Sequence, residues 1–349
     1  MTQREYSIAH LKAFSKNIFM ALGLSKHGAT VVSESLIRAD LEETPSHGLS
    51  RIGIYAKRLK EGRIKASPDI KIEKKGGLLK VDGDNGLGHL VSDYALNQAI
   101  PMAREHGILG IFIRNSNHFG TAAYYCQKAC REGMALIAMT NTPSAMPPWG
   151  GKKPYLGTNP IAFGFPTRSG APVIIDMSSS VVARGKIILA KKMGKSIPAG
   201  WAIDREGGMT TNPEAALEGA LLPLGGPKGY ALALAVEILS GILTGAAFGP
   251  HINNMYNDDG RPTNTGHCFI LIHIEKMLDR EVYLSNLHQL LAEIKQSPRQ
   301  AENEEILYPG ERRFRSFVNH LHQKLSLSDE VINELMRLGD DLNIPFPSS

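Results

Sequence analysis

Ile108-Leu109-Gly110-Ile111-Phe112-Ile113 opens a stretch that continues through Asn115-Ser116-Asn117-His118-Phe119-Gly120 and Ala122 to Gly133, and closes on Met134-Ala135-Leu136-Ile137-Ala138-Met139-Thr140. Two short apolar runs flank a segment in which Cys126 and Cys130 stand four apart, the spacing of one helix face. The stretch therefore reads as strand, loop, helix and strand, a βαβ unit, and sets the class as α/β. In such a unit the loop after the first strand lies at the carboxyl edge of the sheet, where open α/β sheets hold their ligands. His118 sits in that loop, facing an expected cleft.

Upstream, Ile70 to Ile72 and Leu78 to Val81 read as a hairpin around Gly76-Gly77, with a polar, glycine-rich loop from Asp82 to Gly88. A long helix follows with Val91, Ala95, Ala99, Met102 and Ala103 inward and Gly107 as its stop. Earlier still, helical spacing runs from Ser7 to Leu22, from Ser25 to Ala39, and from about Leu49 through Ile52, Tyr55 and Leu59 to Gly62. Downstream, Asn141 to Pro166 is dense in Pro and Gly and reads as a long functional loop. Val173 to Met177 is a strand, and Ser178-Ser179-Ser180 is expected to cap a helix reaching Ala190. Gly225 to Tyr230 introduces an apolar helix from Ala231, His267 to Ile274 is a strand, and helices return from Tyr283. The expected organisation is residues 1–68 as helices, 69–282 as a mixed α/β cofactor- and substrate-binding domain, and 283–349 as helices that rejoin the first segment.

The chain has 349 residues, 42% hydrophobic and 21% charged, the make-up of an ordinary globular protein with a sizeable core. Its net charge of +5 gathers at Lys57, Arg58, Lys60, Arg63, Lys65, Lys71, Lys74 and Lys75. That run lacks interleaved aromatics, so a solvated face is expected over a nucleic-acid surface. Three cysteines form no CxxC pair; Cys126 and Cys130 read as small core residues, and nothing points to an oxidising compartment. No signal-peptide pattern precedes Tyr6, and Glu237 interrupts the longest apolar run, so a cytoplasmic protein without a membrane span is expected.

The polar turn Thr44-Pro45-Ser46-His47-Gly48-Leu49-Ser50-Arg51 carries the most chemistry. With a helix starting at about Leu49, His47 would lie at its positive end and Arg51 four residues on, both aimed into one space. An imidazole can protonate a carbonyl oxygen while a guanidinium grips the neighbouring carboxylate, as reduction of a 2-oxo acid requires. Taken alone, the octapeptide leaves open a plainer reading, a capping His47 and a solvated Arg51. His118 is equally open between structural hydrogen-bonding and catalysis. Lys228, among glycines, suits a phosphate or a tight turn, while Thr142, Thr158 and Asn159 could bond a cofactor amide or ribose. No G-x-G-x-x-G fingerprint occurs, since Gly83 to Gly88 has the wrong spacing, and Gly194-Lys195-Ser196 lacks the first glycine of a P-loop because position 189 is Leu. A metal held by His47, His118 and Asp176 has no supporting motif, so no metal ligand is assigned.

Taken in order, Ser46-His47-Gly48 with Arg51, Asn117 to Gly120, Gly157 to Pro160, Asp176-Met177, Ala183 to Lys186, Gly226 to Tyr230 and Tyr308 to Glu311 resemble the malate/L-lactate dehydrogenase family that is unrelated to the Rossmann enzymes. That family includes sulfolactate, ureidoglycolate and 2,3-diketogulonate oxidoreductases and a cyclic-imine carboxylate reductase. The resemblance spans nearly the whole chain. It implies a non-Rossmann mixed sheet flanked by helices, a helical lobe from both termini, and a homodimer. It further implies NAD or NADP as cofactor and a small 2-oxo or 2-hydroxy acid as substrate. His47 resembles the acid/base group and Arg51 the carboxylate anchor; His118 competes for proton transfer, with His47 favoured for its neighbouring arginine. Thr142, Asp176, Met177, Ser178, Lys228, Gly310 and Glu311 match cofactor-holding positions, and Lys186 a substrate position where a cation would favour an anionic group. The readings of another class are a basic nucleic-acid-binding protein and a metal-dependent hydrolase.

Overall fold

A computed structural model describes residues 3–256, 260–301, 304–321 and 323–348. The chain opens with β1 (Gln3–Ser7), α1 (Ile8–Ala21) and α2 (Lys26–Leu41), then two 3-10 turns (Pro45–His47, Leu49–Arg51) and α3 (Ile52–Lys60). Next come β2 (Lys71–Lys75), β3 (Leu78–Asp82), α4 (Gly88–His106), β4 (Ile108–Ser116), α5 (Ala122–Arg131) and β5 (Met134–Thr140). β6 (Ile161–Phe165), β7 (Val173–Met177), α6 (Arg184–Lys192), β8 (Ala202–Ile203), β9 (Met209–Thr210), α7 (Pro213–Glu218) and β10 (Ala220–Leu221) lead to α8 (Pro227–Glu237). The last elements are β11 (Thr265–His273), α9 (Arg280–Gln296), α10 (Glu311–Leu321), β12 (Lys324–Ser328) and α11 (Asp329–Asp341).

Seven strands form the central mixed sheet in the order β2-β3-β4-β11-β5-β6-β7. Only β3 and β4 pair in parallel; the other neighbours are antiparallel. The expected βαβ unit is present with a difference. Strands β4 and β5 run the same way, yet β11 returns from far along the chain and pairs between them.

Strand alternation explains how the sheet buries both faces. Leu109, Ile111, Ile113, Leu136, Ala138, Phe269 and Leu271 point to one side, where α4 and α5 cover them. Met139, Cys268, Ile137 and Ile270 point to the other, against Val236 and Leu232 of α8. Deleting a buried Leu from such a face costs about 2–5 kcal/mol. The three cysteines are free and buried, and burial pushes the Cys130 thiol up to about 12.

A second apolar cluster joins α1, α2 and α3 to Leu325, Leu327, Ile332, Leu335 and Leu338. There β1 pairs antiparallel with β12, a two-stranded ribbon formed from the two ends of the chain. Neither strand is expected from the pattern: Tyr6 lies just before the helical spacing that starts at Ser7, and Leu325 and Leu327 fall in the segment read as helices. Other boundaries also differ from expectation. The Pro/Gly-rich segment from Asn141 to Pro166 contains β6. Ser178 and Ser180 hydrogen-bond each other at 3.0 Å and do not cap α6, which starts after Ala183. The apolar helix begins at Pro227 and ends in a π-helical turn, Ile238–Ile242. Among the described residues no helix is long and apolar enough to cross a membrane. The basic run lies on several elements and finds acidic partners, including Lys57–Glu61, Lys65–Asp84 and Lys60–Asp341.

Candidate active site

The turn carrying His47 differs from its expected form. The α-helix begins only at Ile52, and His47 ends a 3-10 turn, so it has no helix N-terminus behind it. Gly48 is required here because a Cβ would fall 2.0 Å from Asp40 Oδ1. Asp40 in turn accepts from the Leu49 backbone N–H at 2.8 Å, fixing the turn to α2. Burial, then Arg51 and Arg313, bring His47 down to about 4. The imidazole is therefore neutral at physiological pH, through desolvation and neighbouring cations instead of a helix dipole.

Across from it lies His118, its ring stacked on that of His47 with centroids 5.4 Å apart. The Tyr55 hydroxyl approaches His118 Nδ1 at 2.6 Å, and the Gly120 backbone N–H donates to the same atom at 3.4 Å. Burial holds the Tyr55 phenol well above its ordinary range and His118 well below. With two donors meeting Nδ1, the proton of the neutral ring belongs on Nε2. Tyr55 escaped the sequence reading, although it follows Arg51 by one helical turn.

The loop that carries His118 is held from behind. Asn117 Nδ2 donates to the carbonyls of Asn85 and Gly86 at 3.2 and 2.9 Å. Gly88 lets α4 start against it, since a Cβ there would meet the Asn117 carbonyl oxygen at 2.1 Å. The glycine-rich loop after β3 thus serves as a buttress for the histidine loop.

Arg51 and His118 line one cleft with Phe119, Asn141, Thr142, Thr158, Arg184, Tyr256, Thr263 and Thr265 among its other walls. His47, stacked on His118, is not among the residues that line that cleft. Arg51 Nε donates to the Ser46 carbonyl at 2.5 Å, and its Nη1 meets the Tyr256 hydroxyl. This holds the fork in place, and a carboxylate could displace the exposed Tyr256. Arg58, 1% exposed, braces the far wall by donating to the Met255 carbonyl at 3.2 Å and to Thr263 Oγ1 at 3.1 Å.

The floor suits a polar, ring-bearing ligand. Thr142 Oγ1 and Thr158 Oγ1 stand 3.5 Å apart, and Thr265 Oγ1 is buried in the cleft wall with no partner among the described residues. Thr158 continues to Ser179, whose N–H and hydroxyl donate to its carbonyl at 2.9 and 2.8 Å. Ser179 accepts in turn from the Leu224 N–H at 2.9 Å, beside the turn that carries Lys228 at the start of α8. Hydroxyls at the cleft and a cation at a helix N-terminus are the donor set that a nicotinamide and a phosphate require.

Other expected site residues lie elsewhere. The Asp176 carboxylate meets Arg313 Nη2 at 3.4 Å and the Ala123 N–H at 3.3 Å, with burial pushing it up. Met177 is exposed at the end of β7, next to Ser178. Gly310 packs on β7, where Ile174 N–H donates to the Pro309 carbonyl, and Glu311 holds Lys295 and Arg315 at 2.5 Å each. Lys186 is exposed on α6; Arg184, two residues earlier, is the cation that reaches the cleft. Among the described residues no three His, Cys, Asp or Glu side chains gather to hold a metal.

A family model described as malate/L-lactate dehydrogenase matches residues 6–336. The (2R)-3-sulfolactate dehydrogenase (NADP(+)) of Chromohalobacter salexigens is 37% identical over 332 residues, covering 95% of this chain and 97% of that one. The ureidoglycolate dehydrogenase (NAD(+)) of Escherichia coli O157:H7 is 32% identical over 297 residues, covering 85% and 84%. Among solved structures, malate dehydrogenase from Entamoeba histolytica superposes with a TM-score of 0.94 at 30% identity, covering 99% of this chain and 100% of that one.

Proposed function

The chain belongs to the malate/L-lactate dehydrogenase family, and we propose that it transfers a hydride reversibly between NADH or NADPH and a small 2-oxo acid with a second anionic group. It is an NAD(P)-dependent oxidoreductase acting on malate- or sulfolactate-type hydroxy acids. The observation that carries the finer reading is the pairing of the Arg51 guanidinium and the His118 imidazole in one cleft.

The coenzyme, when bound, supplies or takes the hydride at the substrate's carbonyl carbon. Arg51 grips the 2-oxo acid's carboxylate and fixes which face of the carbonyl is presented. His118 Nε2–H gives its proton to the carbonyl oxygen as Nδ1 takes the Tyr55 hydroxyl proton, so the ring stays neutral, and the Gly120 N–H steadies Nδ1. In the reverse direction Nε2 takes the hydroxyl proton while Nδ1 returns its own to Tyr55. His47, stacked on that ring, steadies its plane and is the second candidate for the proton. Thr142, Thr158 and the Lys228 turn are the residues that would hold the coenzyme. Arg184 at the cleft, with Lys186 nearby on the same helix, favours a carboxylate or sulfonate at the substrate's far end.

A panel assay tests this reading by following loss of reduced-nicotinamide absorbance, with each coenzyme, against several 2-oxo acids. Oxaloacetate and sulfopyruvate are expected to be reduced with kcat/KM at least about tenfold above pyruvate, diketogulonate or cyclic imine acids. Preference for an uncharged far end would overturn the substrate class. We also propose a homodimer, supported by the exposed stripe Leu234, Ile238 and Ile242 at helical spacing beside Leu243.

A further inference from the structure

Beneath the floor of the cleft, Glu237 is 4% exposed, and no described cation forms an ion pair with it. Its partners are the Gly249 backbone N–H at 2.8 Å, Asn159 Nδ2 at 2.6 Å and Asn141 Nδ2 at 3.4 Å. Both amides are oriented by the backbone. Asn159 Oδ1 accepts from the Thr142 N–H at 3.1 Å, and Asn141 Oδ1 accepts from the Gly266 N–H at 2.9 Å. Their NH2 groups also donate to the carbonyls of Ala233 and Ala247 at 3.0 and 2.8 Å. Every group facing Glu237 is thus a donor, which is the contact pattern of an ionised carboxylate. Amide dipoles satisfy its lone pairs, yet they do not cancel its charge.

The arrangement also holds the chain in an unfavourable shape. Asn159 has φ +34, in the left-handed region, and its side chain bridges Glu237 to the Thr142 backbone. Asn141, Thr142 and Thr158 line the cleft directly. One residue therefore lies between a buried negative charge and the surface on which the coenzyme's ring is proposed to rest.

We infer that Glu237 is a positioning residue that biases the site toward the oxidised coenzyme: its fixed charge favours the cationic pyridinium ring over the neutral dihydropyridine, and through Asn159 it sets the Thr142 N–H. This rests on the oxidoreductase reading above. In a poorly screened interior a charge at this remove changes the preference between the two ring states by roughly tenfold.

The test is calorimetric binding of oxidised and reduced coenzyme, without substrate, to the wild type, Glu237→Gln and Glu237→Asp. Glu237→Gln is expected to weaken the oxidised form about tenfold more than the reduced form. Glu237→Asp keeps the charge, so both affinities fall together and their ratio stays within about twofold. A ratio unmoved by Glu237→Gln overturns the inference. So does a ratio moved by Glu237→Asp, which also decides the matter if Glu237→Gln does not fold. A wild type that binds neither coenzyme would instead sink the oxidoreductase reading.

Discussion

At the scale of single residues, burial keeps neutral the histidines of the site and of its surroundings, where His89 packs edge-on to Tyr55 and His118, and His267 stacks on Phe119. His47 falls to about 4, and His89 and His267 to about 3, from an ordinary value of 6.5. His267 is locked between Thr140 Oγ1 at 2.7 Å and Ser116 Oγ at 2.8 Å. In the unfolded chain these rings take protons below about 6.5, while the folded chain refuses them until about 4 or 3. The unfolded state then binds more protons, so stability falls as pH drops through that window. Asp40 opposes them: raised from 3.8 to about 7, it holds a proton only when folded and contributes stability that is lost as pH rises. His118, lowered in the same way, joins these three histidines, and Asp176, also raised by burial, joins Asp40; the histidines outnumber the aspartates, so a net loss of stability is expected between pH 7 and 5. Thermal melting at the two pH values checks this; a melting temperature unchanged or higher at pH 5 would contradict it. The sequence offers His47, Arg51 and His118 as candidates by their chemistry. It does not divide the proposed roles among them, because that division rests on Tyr55 and Gly120 meeting one ring nitrogen and on which imidazole lines the cleft.

At the scale of elements, two loops meet where the sequence shows only separate turns. The glycine-rich loop from Asp82 to Gly88 resembles a weak phosphate fingerprint, yet its contacts make it the support of the His118 loop. Gly88→Ala would place a Cβ 2.1 Å from the Asn117 carbonyl oxygen, so the histidine loop must shift. A displacement of this kind is expected to lower kcat/KM by about a hundredfold while the fold and coenzyme binding persist. Steady-state kinetics beside coenzyme titration measures both, and an unchanged kcat/KM would refute the buttress. The βαβ unit and the β2–β3 hairpin were readable because their periodicities are local. The placing of β11 between β4 and β5 was not, since it depends on pairing over more than a hundred residues. Arg184 shows the same limit: it lay in a noted motif, but the side that α6 turns to the cleft is a matter of packing.

At the scale of the whole molecule, the two ends of the chain close one apolar cluster while a different face stays open. β1 pairs with β12, and α11 packs with the N-terminal helices. The stripe Leu234, Ile238, Ile242 and Leu243, 38 to 59% exposed, has no such cover among the described residues. Light scattering is expected to give twice the chain mass, with Ile238→Glu shifting it toward the single-chain mass. A wild type that runs at one chain mass would remove the dimer. Composition foretold a globular enzyme-sized chain, but the exposed stripe reads in sequence like any buried helix, because hydropathy alone does not say which apolar face meets a partner.

The pairing of Arg51 and His118 is tested most directly by comparing steady-state constants and coenzyme affinity of Arg51→Lys and His118→Ala with the wild type. The expected result is a raised KM for the 2-oxo acid in Arg51→Lys, as the two-pronged grip is lost. For His118→Ala, a fall in kcat of about a hundred- to ten-thousandfold is expected, with coenzyme affinity intact in both. Unchanged kcat in His118→Ala together with unchanged KM in Arg51→Lys would contradict hydride transfer at this cleft.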